Sequence, residues 1–164
     1  MSFTIIPATV ADLPAIRQLL VETWHATYDA IYGADEVDEI SGRWHAIETL
    51  AKQLAKPDAT FLLAKRGDTV VATSLAMLKH SDLVLLSRLY VRQGAQGRGV
   101  GHQLLDATLA PYPKTSVVRL EVDPHNAGAV GFYEHQGFVR AGEVKDCGGS
   151  SAIKALVYER RRAL

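Results

Sequence analysis

Four glycines crowd the segment Gly94-Ala95-Gln96-Gly97-Arg98-Gly99-Val100-Gly101. The apolar run Leu83 to Val91 precedes it. A helical pattern of Val100, Leu104, Leu105, Thr108 and Leu109 follows, ended by Pro111 and Pro113. A buried strand must therefore reach a helix through a loop that turns tightly, which glycine permits because it has no Cβ. The first turn of a helix carries unpaired N–H groups and the positive end of the dipole. Strand, loop and helix start together predict an anion site suited to phosphate or pyrophosphate. The spacing Gly97-x-Gly99-x-Gly101 is not the G-x-G-x-x-G of dinucleotide-binding folds, and no G-x-x-x-x-G-K-[ST] occurs. The bland alternative is a tight strand-to-helix corner with no ligand.

The rest of the chain supplies the elements around that loop. Phe3 to Ile6 reads as a strand. Thr9 with Asp12 reads as a capping box that opens a helix carrying Leu13, Ile16, Leu19, Leu20, Thr23 and Trp24 at helical spacing. From Tyr28 to Glu39 the pattern blurs, which predicts a linker containing Gly33. A second helix is expected from about Gly42 to Ala55. Thr60 to Lys65, Thr69 to Leu78 and Leu83 to Val91 read as a three-strand meander with turns at Arg66-Gly67-Asp68 and His80-Ser81-Asp82. Beyond the loop helix, Val117 to Val122 is a strand and Asn126 to Gln136 a helix stopped by Gly137. Phe138 to Val144 and Ile153 to Tyr158 finish as strands. The order predicts an α/β (α+β) mixed sheet with helices on both faces, in one domain over residues 1–164.

Composition narrows the function classes. The 164 residues hold 18 Lys plus Arg against 18 Asp plus Glu. A neutral chain is a poor candidate for neutralising nucleic-acid phosphates. No apolar stretch approaches the roughly 20 residues that cross a bilayer, and no signal peptide is read, so a soluble, cytoplasmic protein is expected. The single cysteine, Cys147, closes no disulfide within the chain. Six histidines occur without H-x-H or H-E-x-x-H, so no metal is expected. Arg160-Arg161-Arg162 reads as a solvated end.

A second stretch adds identity to the loop. In Asn126-x-x-Ala129-x-x-Phe132-Tyr133-Glu134-x-x-Gly137-Phe138, as in Gln96-x-x-Gly99-x-Gly101, the sequence resembles the GNAT superfamily of acyl-CoA-dependent N-acetyltransferases. Gln96-x-x-Gly99-x-Gly101 is similar to that family's pyrophosphate motif, Q/R-x-x-G-x-G/A, and the stretch from Asn126 to its second signature. The resemblance covers the whole chain by element order and is sharp from about Leu83 to Phe138. It implies a three-layer fold with a central, mostly antiparallel, splayed sheet, acetyl-CoA as co-substrate and a primary amine acceptor, small-molecule or peptide. It also implies roles. Backbone groups of Leu89 and Val91 would hold the pantetheine arm, and N–H groups of Gly97, Arg98, Gly99, Gly101 and His102, with Gln96, would cradle the pyrophosphate. Asn126 would cap its helix and touch the pantetheine. Tyr133, near the thioester sulfur, would be the general acid. Around Leu120-Glu121-Val122 the sequence is similar to ribosomal-protein alanine N-acetyltransferases, which implies Glu121 as general base. A glutamate on a solvated sheet face is the competing reading.

The acceptor pocket is expected on the first helix and its linker, with Trp24, His25, Tyr28 and Tyr32 as candidates. For His25 a plain helix-surface role is the alternative. Asp29, Asp35, Glu36, Asp38 and Glu39 form an acidic run without Lys or Arg. Such a run at a cleft mouth would favour a cationic acceptor. Alternatively it favours the N-terminal end of the second helix. Cys147 offers no base partner for a ping-pong route, so direct transfer in a ternary complex is expected. A non-catalytic CoA-binding regulatory domain is the other reading of the fold. A homodimer is common in the family.

Overall fold

The computed structural model describes residues 2–145 and 154–162, so Cys147 and the start of the last expected strand lie outside the described residues. Seven strands form one sheet in the order β1-β2-β3-β4-β5-β7-β6. They are β1 (Thr4–Pro7), β2 (Ala59–Arg66), β3 (Thr69–His80), β4 (Leu83–Val91), β5 (Val117–Val122), β6 (Val139–Val144) and β7 (Ala155–Arg161). Every adjacent pair is antiparallel except β4 with β5, which run parallel. Among the described residues five α-helices cover the sheet: α1 (Leu13–Tyr32), α2 (Ala34–Trp44), α3 (Ile47–Leu54), α4 (Val100–Leu109) and α5 (Ala127–His135).

Strand alternation sorts the core into two faces. On β2, Phe61 and Leu63 pack with Leu13, Ile16, Leu19 and Leu20 of α1 and Leu50 of α3. Their neighbours Leu62 and Ala64 point the other way and pack with Val100 and Leu104 of α4. A third cluster joins Leu105 and Leu109 to Val84, Leu86, Val118, Leu120, Tyr133, Phe138 and Tyr158. The expected helix start is present. Asp12 Oδ2 accepts from the Thr9 N–H at 2.9 Å and from its hydroxyl at 3.0 Å.

Three expectations are corrected. The segment from Tyr28 to Glu39 is helical, apart from one pivot at Gly33 with φ +88°. Val37 and Ile40 hold α2 in place by burying against Trp24 and Tyr28. With two buried apolar anchors on so short a helix, the periodicity is too brief to stand out. Asp35 and Glu36 lie in the first turn of α2, where the dipole favours them. The expected helix from Gly42 to Ala55 is two helices, parted at His45 and Ala46. The terminal arginines are anchors. Arg160 Nη1 donates to the Gln136 carbonyl at 2.9 Å, and its guanidinium sits 4.9 Å over the Phe138 ring. Arg162 Nε donates to the Thr115 carbonyl at 3.1 Å.

His45 makes the break between α2 and α3 pH-sensitive. It is 4% exposed, and its Nδ1 lies 2.7 Å from the Ser41 hydroxyl. Burial, then the charges of Arg88 and Arg17, pull its pKa down to about 3. The folded state keeps this imidazole neutral while the unfolded chain protonates it below about 6.5. Stability is therefore full above about pH 6.5 and lost as pH falls toward 3, by about 1.4 kcal/mol per pH unit from this group. Thermal melts of wild type and His45→Gln between pH 7 and 4 should converge as pH drops. A constant difference in melting temperature across that range would refute the buried neutral histidine.

Candidate active site

The parallel pair β4–β5 is joined only over Leu83–Leu86 and Val117–Leu120. Beyond Leu86 the two strands part. β5 keeps its partner β7 as far as Val122, opposite Leu156. β4 keeps β3, but with a break in register: Ala76 faces Leu86 and Leu75 faces Arg88, so Ser87 is an extra residue. Such a bulge bends a strand and reverses which side chains face which side. Leu86 faces the α4 side, and without the bulge Arg88 and Tyr90 would follow it. With the bulge, Tyr90 packs on the α1 side, and Leu89 and Val91 pack on the α4 side.

The opening is a cleft of about 1270 Å³. Its β4 wall offers backbone groups. The Arg92 N–H donates to the Val71 carbonyl at 2.8 Å. By the alternation of an antiparallel ladder, Val91 and Leu89 turn their N–H and C=O groups to the opposite edge, toward the cleft. The Val91 carbonyl there accepts from Gln96 Nε2 at 3.0 Å, which folds the glycine loop over the strand end.

The loop then enters α4. Gly97 and Gly99 both have φ +78°, a left-handed geometry open to glycine. Gly101 is helical, but a Cβ on it would lie 3.2 Å from Phe132 Cε1. The N-terminus of α4 and the aromatic face of α5 thus approach as closely as a missing side chain allows. His102 joins them further, with Nδ1 2.7 Å from Gln136 Oε1 and Nε2 3.3 Å from Asp106. Gln96, Gly97, Gly99, Gly101 and His102 line the cleft with Leu89 and Val91; Arg98 does not.

α1 crosses the gap. Three residues one turn apart reach both walls. Trp24 Nε1 donates to the Tyr90 hydroxyl on β4 at 3.0 Å. The Tyr28 hydroxyl receives Asn126 Nδ2 at 3.4 Å, and the Tyr32 hydroxyl donates to Asp123 just after β5. Asn126 also caps α5, its Oδ1 accepting from the Ala129 N–H at 3.2 Å. Of the four acceptor candidates, Trp24 and Tyr28 line the cleft. Tyr32 and His25 are not among the lining residues. Tyr32 positions Asp123. His25 is held between Asp29, 2.6 Å from Nδ1, and Asp38, 2.7 Å from Nε2. The hydrogen bond to Asp29 leads in raising its pKa. The ring clamps α1 to α2, and two of the five acids are spent on it. None of the five lines the cleft.

Tyr133 and Glu121 both line the cleft. Tyr133 is 7% exposed, set edge-on to Phe132 and Phe138 at ring distances of 5.3 and 5.7 Å. Burial, reinforced by Tyr90, pushes its phenol pKa well up. Burial and Tyr90 do the same to Tyr28. Both phenols are therefore protonated donors at neutral pH. Glu121 is exposed, and among the described residues its carboxylate has no hydrogen-bond or salt-bridge partner. Sequence reasoning missed Tyr90, Trp44, His45, Gln53 and Arg88, which also line the cleft. A lone arginine inside an apolar strand was the available signal, since a buried charge needs a reason.

Comparison with known proteins agrees with this geometry. Spermidine N(1)-acetyltransferase of Thermoplasma acidophilum is 25% identical over 97% of this chain and 99% of its own length. IAA acetyltransferase of Azospirillum brasilense is 33% identical over 54% of this chain, a match spanning only 60% of that relative. Among solved structures, the PaiA N-acetyltransferase of T. acidophilum in complex with coenzyme A superposes with a TM-score of 0.86, at 23% identity over 99% of this chain and 100% of that one. The ribosomal-protein-S18-alanine N-acetyltransferase of Escherichia coli gives 0.74, at 18% identity over 99% and 96%. Both solved structures share the fold. A profile of the acetyltransferase (GNAT) domain matches residues 28–154, so the chain belongs to the GNAT family of acetyltransferases.

Proposed function

We propose that this chain transfers the acetyl group of acetyl-CoA directly to a primary amine, with both substrates in the cleft at once. The observation that carries this reading is the gap between β4 and β5. It opens cleft-facing backbone groups at Leu89 and Val91, ends at the start of α4, and contains the buried phenol of Tyr133. The similarity to a spermidine N(1)-acetyltransferase and to an N-acetyltransferase solved with coenzyme A supports the same reading.

The chemistry follows from the groups in place. The α4 N-terminus and the turns at Gly97 and Gly99 suit a pyrophosphate. Leu89 and Val91 offer an extended amide chain the pairing that β5 withholds. A neutral amine nitrogen forms a bond to the acyl carbon, and the carbon–sulfur bond breaks. One amine proton leaves to Glu121, directly or through water. The Val91 N–H stabilises the oxyanion formed in between. The leaving sulfur takes the Tyr133 proton. A phenol made less acidic by burial donates well only because the same dry site raises the thiol pKa as well.

Gly99→Val forces a branched residue into left-handed geometry, at a cost of about 1–2 kcal/mol. Acetyl-CoA affinity measured by calorimetry should fall roughly tenfold while the circular dichroism spectrum is kept. Unchanged affinity would remove the loop from the cofactor site.

Tyr133→Phe removes only the phenol proton. It should lower kcat by about 10²-fold, the scale of a positioned general acid, and leave acetyl-CoA affinity intact. Full turnover would reduce Tyr133 to packing.

Glu121→Gln should lower kcat/KM and flatten its rise with pH. A profile that keeps both height and shape would assign the proton to another group.

A further inference from the structure

On the α1 side of the cleft, Arg88 has fewer partners than a buried charge requires. It is 9% exposed and lines the cleft beside Gln53, Thr49 and Trp44. Its Nη1 donates to Gln53 Oε1 at 2.8 Å, and its Cζ lies 4.7 Å over the Phe61 ring. Nε and Nη2 are both buried and have no hydrogen-bond partner among the described residues. These two nitrogens share one edge of the guanidinium plane, with parallel N–H directions that match the two oxygens of a carboxylate. No carboxylate of the described residues pairs with Arg88.

The surroundings do not discharge that cation. Burial lowers the Arg88 pKa only to about 10, so it stays charged at neutral pH. His45, also on the cleft wall, is kept neutral partly by Arg88 itself. Buried guanidinium N–H groups without acceptors are costly, and Arg88 keeps two of them while other atoms of the same residue line the cleft. Of the two carboxylates that line the cleft, Asp123 is taken up by Tyr32 and His125, and the exposed Glu121 comes from the β5 side. One wall therefore favours an ammonium and the other a carboxylate. Trp24 and Trp44, packed edge-to-face at 5.1 Å, give an aromatic surface between.

We infer that the acceptor is a primary amine that carries its own carboxylate, the amino-acid class, with Arg88 and Gln53 binding the carboxylate and Glu121 facing the amine. The carboxylate reaches the Nε–Nη2 edge by a small shift of the Arg88 and Gln53 side chains. This rests on the acetyl-transfer reading above and turns the acceptor preference away from the cationic acceptor that the acidic run Asp29 to Glu39 had suggested.

The test compares matched acceptors. Thiol release from acetyl-CoA is measured with the common L-amino acids, their carboxamides and spermidine. Wild type should prefer an amino acid over its own carboxamide by about tenfold to a hundredfold in kcat/KM, the scale of hydrogen bonds to a charged partner. In Arg88→Gln that preference should collapse to near parity through a raised KM for the acid. Arg88→Lys keeps the charge but not the two-point geometry, and should recover only part of it. Acetyl-CoA affinity and thermal melts report whether each variant folds; if Arg88→Gln does not, the wild-type ratio of acid to carboxamide decides alone. Carboxamides or spermidine used as well as the acids overturn the inference and leave acetyl transfer standing. If no amine turns over, amino acids are titrated into the coenzyme A-loaded protein with tryptophan fluorescence as readout. Carboxylate-dependent quenching lost in Arg88→Gln keeps the anion site and rejects transfer to these amines, whereas no carboxylate-dependent signal overturns the inference.

Discussion

The parting of β4 from β5 after Leu86 is the constraint on which the site depends. Two parallel strands in mid-sheet would ordinarily satisfy each other's backbone groups, because buried N–H and C=O groups rarely go unpaired. Here the ladder ends early, since β4 bends at the Ser87 bulge while β5 stays with β7. The freed edge at Leu89 and Val91 is affordable only because it faces a cleft that water or a substrate backbone can enter. The split would weaken the sheet if nothing crossed it. α1 crosses it, tying β4 through Trp24 and Tyr90, α5 through Tyr28 and Asn126, and the end of β5 through Tyr32 and Asp123. The helix that lines one side of the cleft is thus also the brace across the gap.

That brace explains the protonation pattern of the cleft. Phenols packed to span a gap are dehydrated, and dehydration disfavours their anions. Tyr28 and Tyr133 are therefore proton donors by construction, and Tyr90 raises both further. The protonated phenol of Tyr133 and the aromatic wall formed by Trp24 and Tyr28 arise from one physical cause, the exclusion of water by aromatic packing.

The sequence made the glycine-loop end of the cleft legible and hid the end at α1, for reasons that differ residue by residue. Gly97 and Gly99 were visible because only glycine accepts their φ, and Gly101 because only a missing Cβ fits against Phe132. Thr9 with Asp12 was visible because capping is local. The meander of β2, β3 and β4 was visible because short turns join them. The helix α2 was not, since Val37 and Ile40 gain their meaning only from Trp24 and Tyr28, far from them in sequence. Trp24, Tyr28 and Tyr32 stood at helical spacing, but their partners on β4 and after β5 lie 66 to 98 residues away. The Ser87 bulge left no mark in the run Leu83 to Val91. Without it the alternation assigns Arg88 and Tyr90 to the wrong face, so neither could be read as part of the site.

Arg88 shows what such a bulge can do for specificity. Two buried donors without acceptors cost about 1–3 kcal/mol each, against a net stability of only about 5–15 kcal/mol for a whole domain. Had the bulge been absent, strand alternation would have turned the same side chain toward α4, onto the face of Leu86, Leu105 and Leu109 and away from Phe61 and Gln53. One extra residue in β4 instead sets the charge against Phe61 and Gln53 at the cleft wall, where the ring face and one amide offset part of its burial. The same extra residue that parts β4 from β5 therefore also sets the guanidinium against the cleft wall. Under the proposed function, the geometry of this single strand couples cofactor entry to acceptor selection.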